Sequence, residues 1–163
     1  VKGDDSGVLF NLAVLLEDRR ADHAQAEVLY RRALESDEED VNVLVNLALL
    51  LQHKRQAYGE AEAFFQKAYE VDATRGDVLL NYALFMEDVR GDMHAAKTLY
   101  EQALQQDEHD VMALCHFGGL LLRTHNVEHA EALFRQAKEI DEPTASQLIS
   151  IRQQAAAQHP LEA

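Results

Sequence analysis

The chain has 163 residues, the length of one ordinary domain, of which 47% are hydrophobic and 27% charged; this is the balance of a globular protein that needs no disulfide or metal staple. Fifteen Lys and Arg stand against 29 Asp and Glu, a net charge of −14. That argues against nucleic acid and against an anionic membrane surface, both of which are gripped by basic side chains, and favours either a basic ligand or no charge role beyond solubility.

The opening VKGDDSG has no apolar stretch of the kind a secretory leader needs, and the missing initiator Met reads as a segment of a longer protein. No run of about 20 apolar residues predicts a membrane-spanning helix. Cys115 is the single cysteine, so no intrachain disulfide forms; a reducing compartment fits, and a cytoplasmic location is expected.

The first predicted element, around Val8–Leu16, is apolar nearly all round, with Leu12, Val14, Leu15 and Leu16. Such a helix is covered on several sides. The second carries Ala26, Leu29, Tyr30, Ala33 and Leu34 at i, i+3, i+4, i+7 and i+8, one stripe of an amphipathic helix. Glu27, Arg31, Arg32 and Glu35 fall on its other face.

The pair then recurs. Asn11, Asn46, Asn81 and His116 sit at equal places in successive blocks, as do Ala33, Ala68, Ala103 and Ala137, and each block ends in Asp37, Asp72, Asp107 or Asp141. Two registers with one period of about 35 residues predict stacked helical hairpins. Asp40 and Asp110 stand where first helices begin, Gly91–Asp92 supplies a left-handed stop and a cap, and Asn126 is expected to cap the second helix of the fourth hairpin. Ala13, Ala48, Ala83 and Gly118 are predicted to meet Ala26, Ala61, Ala96 and Ala130, since small side chains permit close helix approach. Pro143–Gln158 reads as one more helix, with Ala145, Leu148, Ile149, Arg152 and Ala156 inward and glutamines outward, as a terminal cap requires.

The recurring Leu12–Ala13, Ala26, Tyr30 and Ala33, with Leu47–Ala48, Ala61, Phe65 and Ala68, then Tyr82–Ala83, Ala96, Tyr100 and Ala103, and Phe117–Gly118, Ala130, Phe134 and Ala137, resemble the tetratricopeptide repeat family. The likeness covers roughly residues 5–141. Three departures stand out: one extra residue in the intra-repeat turn of the first three units, no early Trp, and a closing Pro only at Pro143. The resemblance implies an all-α, right-handed α-α superhelix, a solenoid of four helix-turn-helix repeats (about 5–38, 39–73, 74–108 and 109–141) plus a capping helix (about 143–158), in one domain spanning 5–163.

The resemblance also implies that first helices line a concave groove. Repeat one would offer Phe10, Asn11, Val14, Glu17 and Asp18; repeat two Asn42, Val45, Asn46, Leu49, Gln52 and His53. Repeat three would offer Asp77, Leu80, Asn81, Leu84, Glu87 and Asp88; repeat four Met112, Cys115, His116, Gly119, Leu122 and Arg123. Asn11, Asn46 and Asn81 read either as amide clamps for an extended peptide backbone or as residues merely common at this place. Glu17, Asp18, Asp77, Glu87 and Asp88 read either as selectivity for Lys or Arg or as a solvated rim. The Lys/Asn/Arg clamp with which many members hold a C-terminal carboxylate is absent, its places holding Phe10, Val14, Asp77 and Asn81.

No catalytic, metal or cofactor site is expected. His125–Asn126–Val127–Glu128–His129 matches H-x-x-E-H, but that chemistry needs both imidazoles on one continuous helix, and the register puts the motif across a turn. Cys115 and His116 diverge by about 100° on a helix. Glu38–Glu39 are loop charges, and no phosphate-binding glycine loop occurs. The functional expectation is a non-enzymatic protein-interaction scaffold for a protein or peptide. Two others stand beside it: a self-assembly module, joining copies through an uncapped N-terminal face, and an accessory domain of a larger enzyme.

Overall fold

The computed structural model describes residues 5–158, apart from the side chain of Arg20. Val1–Asp4, part of the segment read above for a leader, and the last five residues of the expected domain lie outside the described residues. The described chain is all α. Its helices are α1 (Ser6–Arg20), α2 (His23–Ser36), α3 (Val41–Leu50), α4 (Tyr58–Val71), α5 (Gly76–Phe85), α6 (Met93–Gln106), α7 (Val111–Arg123), α8 (Val127–Ile140) and α9 (Glu142–Gln158), with π-helical turns at Leu51–Arg55 and Met86–Arg90 extending α3 and α5. Two compact units divide the chain, Val1–Ala73 with α1–α4 and Thr74–Ala163 with α5–α9.

Aspartates start most of these helices. Asp5, Asp22, Asp40, Asp92 and Asp110 each accept from free backbone N–H groups of the first turn that follows, satisfying donors that have no intrahelical partner. Asp37, Asp107 and Asp141 fold the chain between hairpins: their Oδ1 atoms accept from the N–H of Glu39, His109 and Thr144. Asn126 departs from expectation. It stands at the N-cap of α8, but its side chain makes no capping bond.

The intra-hairpin turn closes in two ways, and these account for the period. In the first three hairpins the residue ahead of the second helix bonds six residues back: Asp22 N–H to Leu16 O, Ala57 to Leu51 and Asp92 to Met86, at 3.1, 3.0 and 2.9 Å. In the fourth, Asn126 N–H reaches Leu121 O, five back, at 2.8 Å. The extra residue therefore widens the last turn of the first helix and does not lengthen the connection, as had been expected. Ala21, Gln56, Gly91 and His125 occupy one equivalent place, all left-handed, at φ 51°, 54°, 67° and 62°.

Ala13, Ala48, Ala83, Ala26, Ala61, Ala96 and Ala130 are wholly buried, as the small-residue contact between paired helices requires. Tyr30 and Phe65 fill the core of the first unit, and Tyr100, Phe117 and Phe134 that of the second. Gly118 admits Phe134: a Cβ there would lie 2.8 Å from Phe134 Cδ1. In the second unit α9 packs on α7 and α8, burying Ala145, Ile149 and Arg152 while Gln147, Gln154 and Gln158 stay exposed. At the other end Val8, Leu12 and Leu15 of α1 are 63%, 44% and 51% exposed.

Candidate functional site

In the first unit, α1 and α3 with its π turn bound a hollow of about 220 Å³. Val14, Glu17 and Asp18 form one wall, Asn46, Leu49, Leu50, His53 and Lys54 the other, and Tyr30 of α2 its floor. The Tyr30 hydroxyl donates to Glu17 Oε2 at 2.8 Å. Burial and then this carboxylate hold the phenol well above its ordinary pKa, so it stays a neutral donor. His23 Nδ1 stands 3.9 Å from Glu17 Oε1, and Phe10 tilts against the Tyr30 ring with centroids 6.0 Å apart.

The asparagines are aimed by their own helices. Asn46 Nδ2 donates to Asn42 O at 2.9 Å, and in the second unit Asn81 Nδ2 donates to Asp77 O at 2.8 Å. Each carboxamide is thereby fixed, with its oxygen and second N–H left for another group. Asn11 and Asn42 are exposed, and Val14, Leu49, Leu80 and Leu84 half-buried. Val45 is only 4% exposed; its place on α3 faces the core, so it offers no groove surface.

Two of the second unit's acidic residues are engaged internally. Arg75 donates to Asp77 from Nε at 2.9 Å and from Nη2 at 2.6 Å, and this ion pair holds the Asp77 carboxyl below its usual range. Glu87 is fully buried. Its Oε1 accepts from Arg123 Nη1 at 2.9 Å and from Arg152 Nη2, and its Oε2 from the Tyr100 hydroxyl at 2.9 Å. Glu87 is therefore the centre of a buried ion cluster and not a rim charge. Half-exposed Asp88 stands 4.0 Å from Arg123; burial, followed by the charge of Glu87, raises its pKa.

Arg152 reaches Glu87 by crossing Gly119. A Cβ at Gly119 would lie 2.9 Å from the Arg152 Cβ. His116, at the register place of the asparagines, is largely covered: burial and then the Arg152 charge pull its pKa down to about 4. Sequence reasoning named Glu87 but missed this cluster. The available signal was the spacing of 13 residues shared by Glu17–Tyr30 and Glu87–Tyr100.

Cys115 is buried, with Sγ 4.0 Å from Ala145 O, and burial, followed by Asp110, pushes the thiol up to about 11. His125 lies in the turn, and His129 sits on α8 with its ring 5.8 Å from that of Phe117. Among the described residues no cluster of His, Cys, Asp or Glu has the makings of a metal site, and no helix is long and apolar enough to cross a membrane.

Paired helices with small interlocking residues and an open first-helix face define a helical-repeat protein. The sequence profile of the tetratricopeptide repeat matches residues 10–78 and 89–144, and the chain belongs to that family. No curated protein matches it by sequence. Among solved structures it is similar to YrrB, described as a tetratricopeptide repeat protein with an unusual peptide-binding site: 21% identity, 91% of this chain and 76% of that one, TM-score 0.70. It is also similar to a tetratricopeptide repeat protein from Parabacteroides merdae (18% identity, 92% and 60% covered, TM-score 0.74) and to MamA (17%, 86% and 82%, TM-score 0.68).

Proposed function

We propose that this chain is a non-catalytic protein-interaction scaffold that receives an extended segment of a partner on its first-helix faces. One observation carries the reading: the Asn46 and Asn81 carboxamides are oriented by their own helices yet keep hydrogen-bonding capacity outward. A group that both donates and accepts matches a peptide backbone without regard to its side chains. YrrB, a relative in fold, has an unusual peptide-binding site. The acidic balance of the chain favours a basic segment, and a buried thiol suits a cytoplasmic protein.

The test is a peptide array probed with the intact chain and with Asn46→Ala/Asn81→Ala. Loss of two backbone contacts weakens binding about tenfold or more, with the helical circular dichroism and Tm retained. Unchanged array binding by the double variant sinks the reading.

A second reading, self-assembly, rests on α1. Val8, Leu12 and Leu15 are exposed, whereas their register equivalents Val43, Leu47 and Leu50 are buried at 0%, 0% and 2%. A face of this kind is covered by another helical hairpin, and a second copy offers one. Light scattering over a range of concentrations checks it. Association that is abolished by Leu12→Glu but persists in the asparagine double variant supports this reading, and a monomer at every concentration rejects it.

A further inference from the structure

We infer that the hollow between α1 and α3 is a receptor for one guanidinium or ammonium group of a partner, held by the carboxylates of Glu17 and Asp18. The inference rests on the peptide-scaffold reading and adds the chemistry of one ligand side chain.

The chain contains its own template for this site. Glu87, Asp88 and Tyr100 repeat Glu17, Asp18 and Tyr30 in register. In the second unit a buried tyrosine hydroxyl orients the glutamate, and that glutamate takes two guanidinium groups, from Arg123 and Arg152. In the first unit the tyrosine bond is kept, at 2.8 Å, but no guanidinium is supplied. The place of Arg123 is held by His53, which is exposed. Among the described side chains, Glu17 has only His23 at 3.9 Å, and Asp18 has no ion pair.

The walls fit such a group. Val14 and Leu49, both half-buried, are aliphatic surface for the methylene stem of lysine or arginine, whose charged head then reaches the two carboxylates. Lys54 also lines the hollow, but it is exposed and makes no ion pair with either acid, so it neutralises neither carboxylate. An anionic ligand would meet two carboxylates. A planar guanidinium gains most, because its fork of donors matches a carboxylate with two bonds.

Titration of the intact chain with N-acetyl-arginine methylamide, followed by amide NMR shifts, tests the receptor. Saturable shifts are expected at Glu17–Ala21 and Asn46–Lys54. The neutral isostere N-acetyl-citrulline methylamide binds about tenfold more weakly or worse. Glu17→Gln/Asp18→Asn loses binding to the same degree, and Asp18→Asn alone, which leaves the Tyr30–Glu17 bond untouched, weakens it several-fold. His53→Arg, which installs the counterpart of Arg123, blocks the hollow from within and abolishes binding although both carboxylates remain. Equal binding of citrulline, no saturable shift in these segments, or full binding by His53→Arg overturns the inference. Arginine binding that fails while peptide-array binding persists rejects the receptor alone; the converse rejects the scaffold reading alone.

Discussion

Gly119 of α7 and Arg152 of α9 occupy one space: the missing side chain of the first is the passage through which the second reaches Glu87. Gly119→Ala therefore tests whether that passage matters. Alanine in a helix is favoured over glycine by about 1 kcal/mol, whereas forcing a methyl into a packed contact costs about 1–3 kcal/mol. The Arg152 Cβ, a rigid part of α9, would have to move, so the clash wins. The variant is expected to lose about 1–2 kcal/mol in urea unfolding and to exchange the amides of α9 faster. Gly59→Ala is the control. A Cβ there meets no atom within 4 Å, so the same exchange on α4 should gain up to about 1 kcal/mol. Equal effects at both sites would mean that Gly119 is not a packing requirement.

Glu87→Gln should be among the most damaging single substitutions. It keeps the shape and leaves two arginines, 9% and 16% exposed at their side chains, without their shared carboxylate. Removing one partner of a buried pair costs about 3–5 kcal/mol, because the remaining charge stays in a poorly solvated place. Glu17→Gln removes the register equivalent in the first unit, where the glutamate has one hydroxyl and a distant imidazole as neighbours; it should cost under about 1 kcal/mol. Similar losses in chemical denaturation would show that the arginines do not depend on Glu87.

The contrast between these two glutamates shows what was legible beforehand. Helices, hairpins and most caps follow from local pattern: an apolar stripe at Ala26, Tyr30 and Ala33, and an Asp one residue ahead of the run, as at Asp22, Asp40 and Asp110. The place of the extra residue does not. A π turn at Leu51–Arg55 changes which carbonyl each N–H reaches and leaves the order of side chains untouched. The role of Glu87 depends on partners 36 and 65 residues away, and a charge read alone cannot announce them. The open face of α1 and the inward face of α9 were readable because both are helix-surface patterns.

The four equivalent left-handed residues offer an internal series. A side chain in that conformation costs roughly 1–2 kcal/mol, which glycine avoids at a smaller entropic cost in the unfolded chain. Only the third hairpin has glycine there, Gly91 at φ 67° with nothing within 4 Å of a built Cβ. Gly91→Ala should therefore lose about 1 kcal/mol by strain alone, and Gln56→Gly should gain up to about 1 kcal/mol. Thermal unfolding of the two variants checks this, and matching signs would refute the assignment of strain to backbone conformation.

His116 gives the chain a dependence on acid. Burial, then the Arg152 charge, pulls its pKa down to about 4, against the influence of Glu87 and Asp110, while the unfolded chain titrates it near 6.5. The unfolded state thus binds the extra proton first as pH falls, and stability rises with pH across that interval. Its contribution is fully present above about pH 6.5 and is lost as pH drops toward about 4, amounting to about 1–3 kcal/mol. His116→Asn, which restores the residue found at the other register places, removes the titrating group. The difference in unfolding free energy between the intact chain and this variant should shift against the intact chain between pH 6.5 and 4 and stay flat above pH 7. A constant difference across the whole range would place the acid sensitivity elsewhere, and not at Asp88: a carboxyl whose pKa is raised by burial and by Glu87 takes its proton more readily in the folded chain and so opposes acid unfolding.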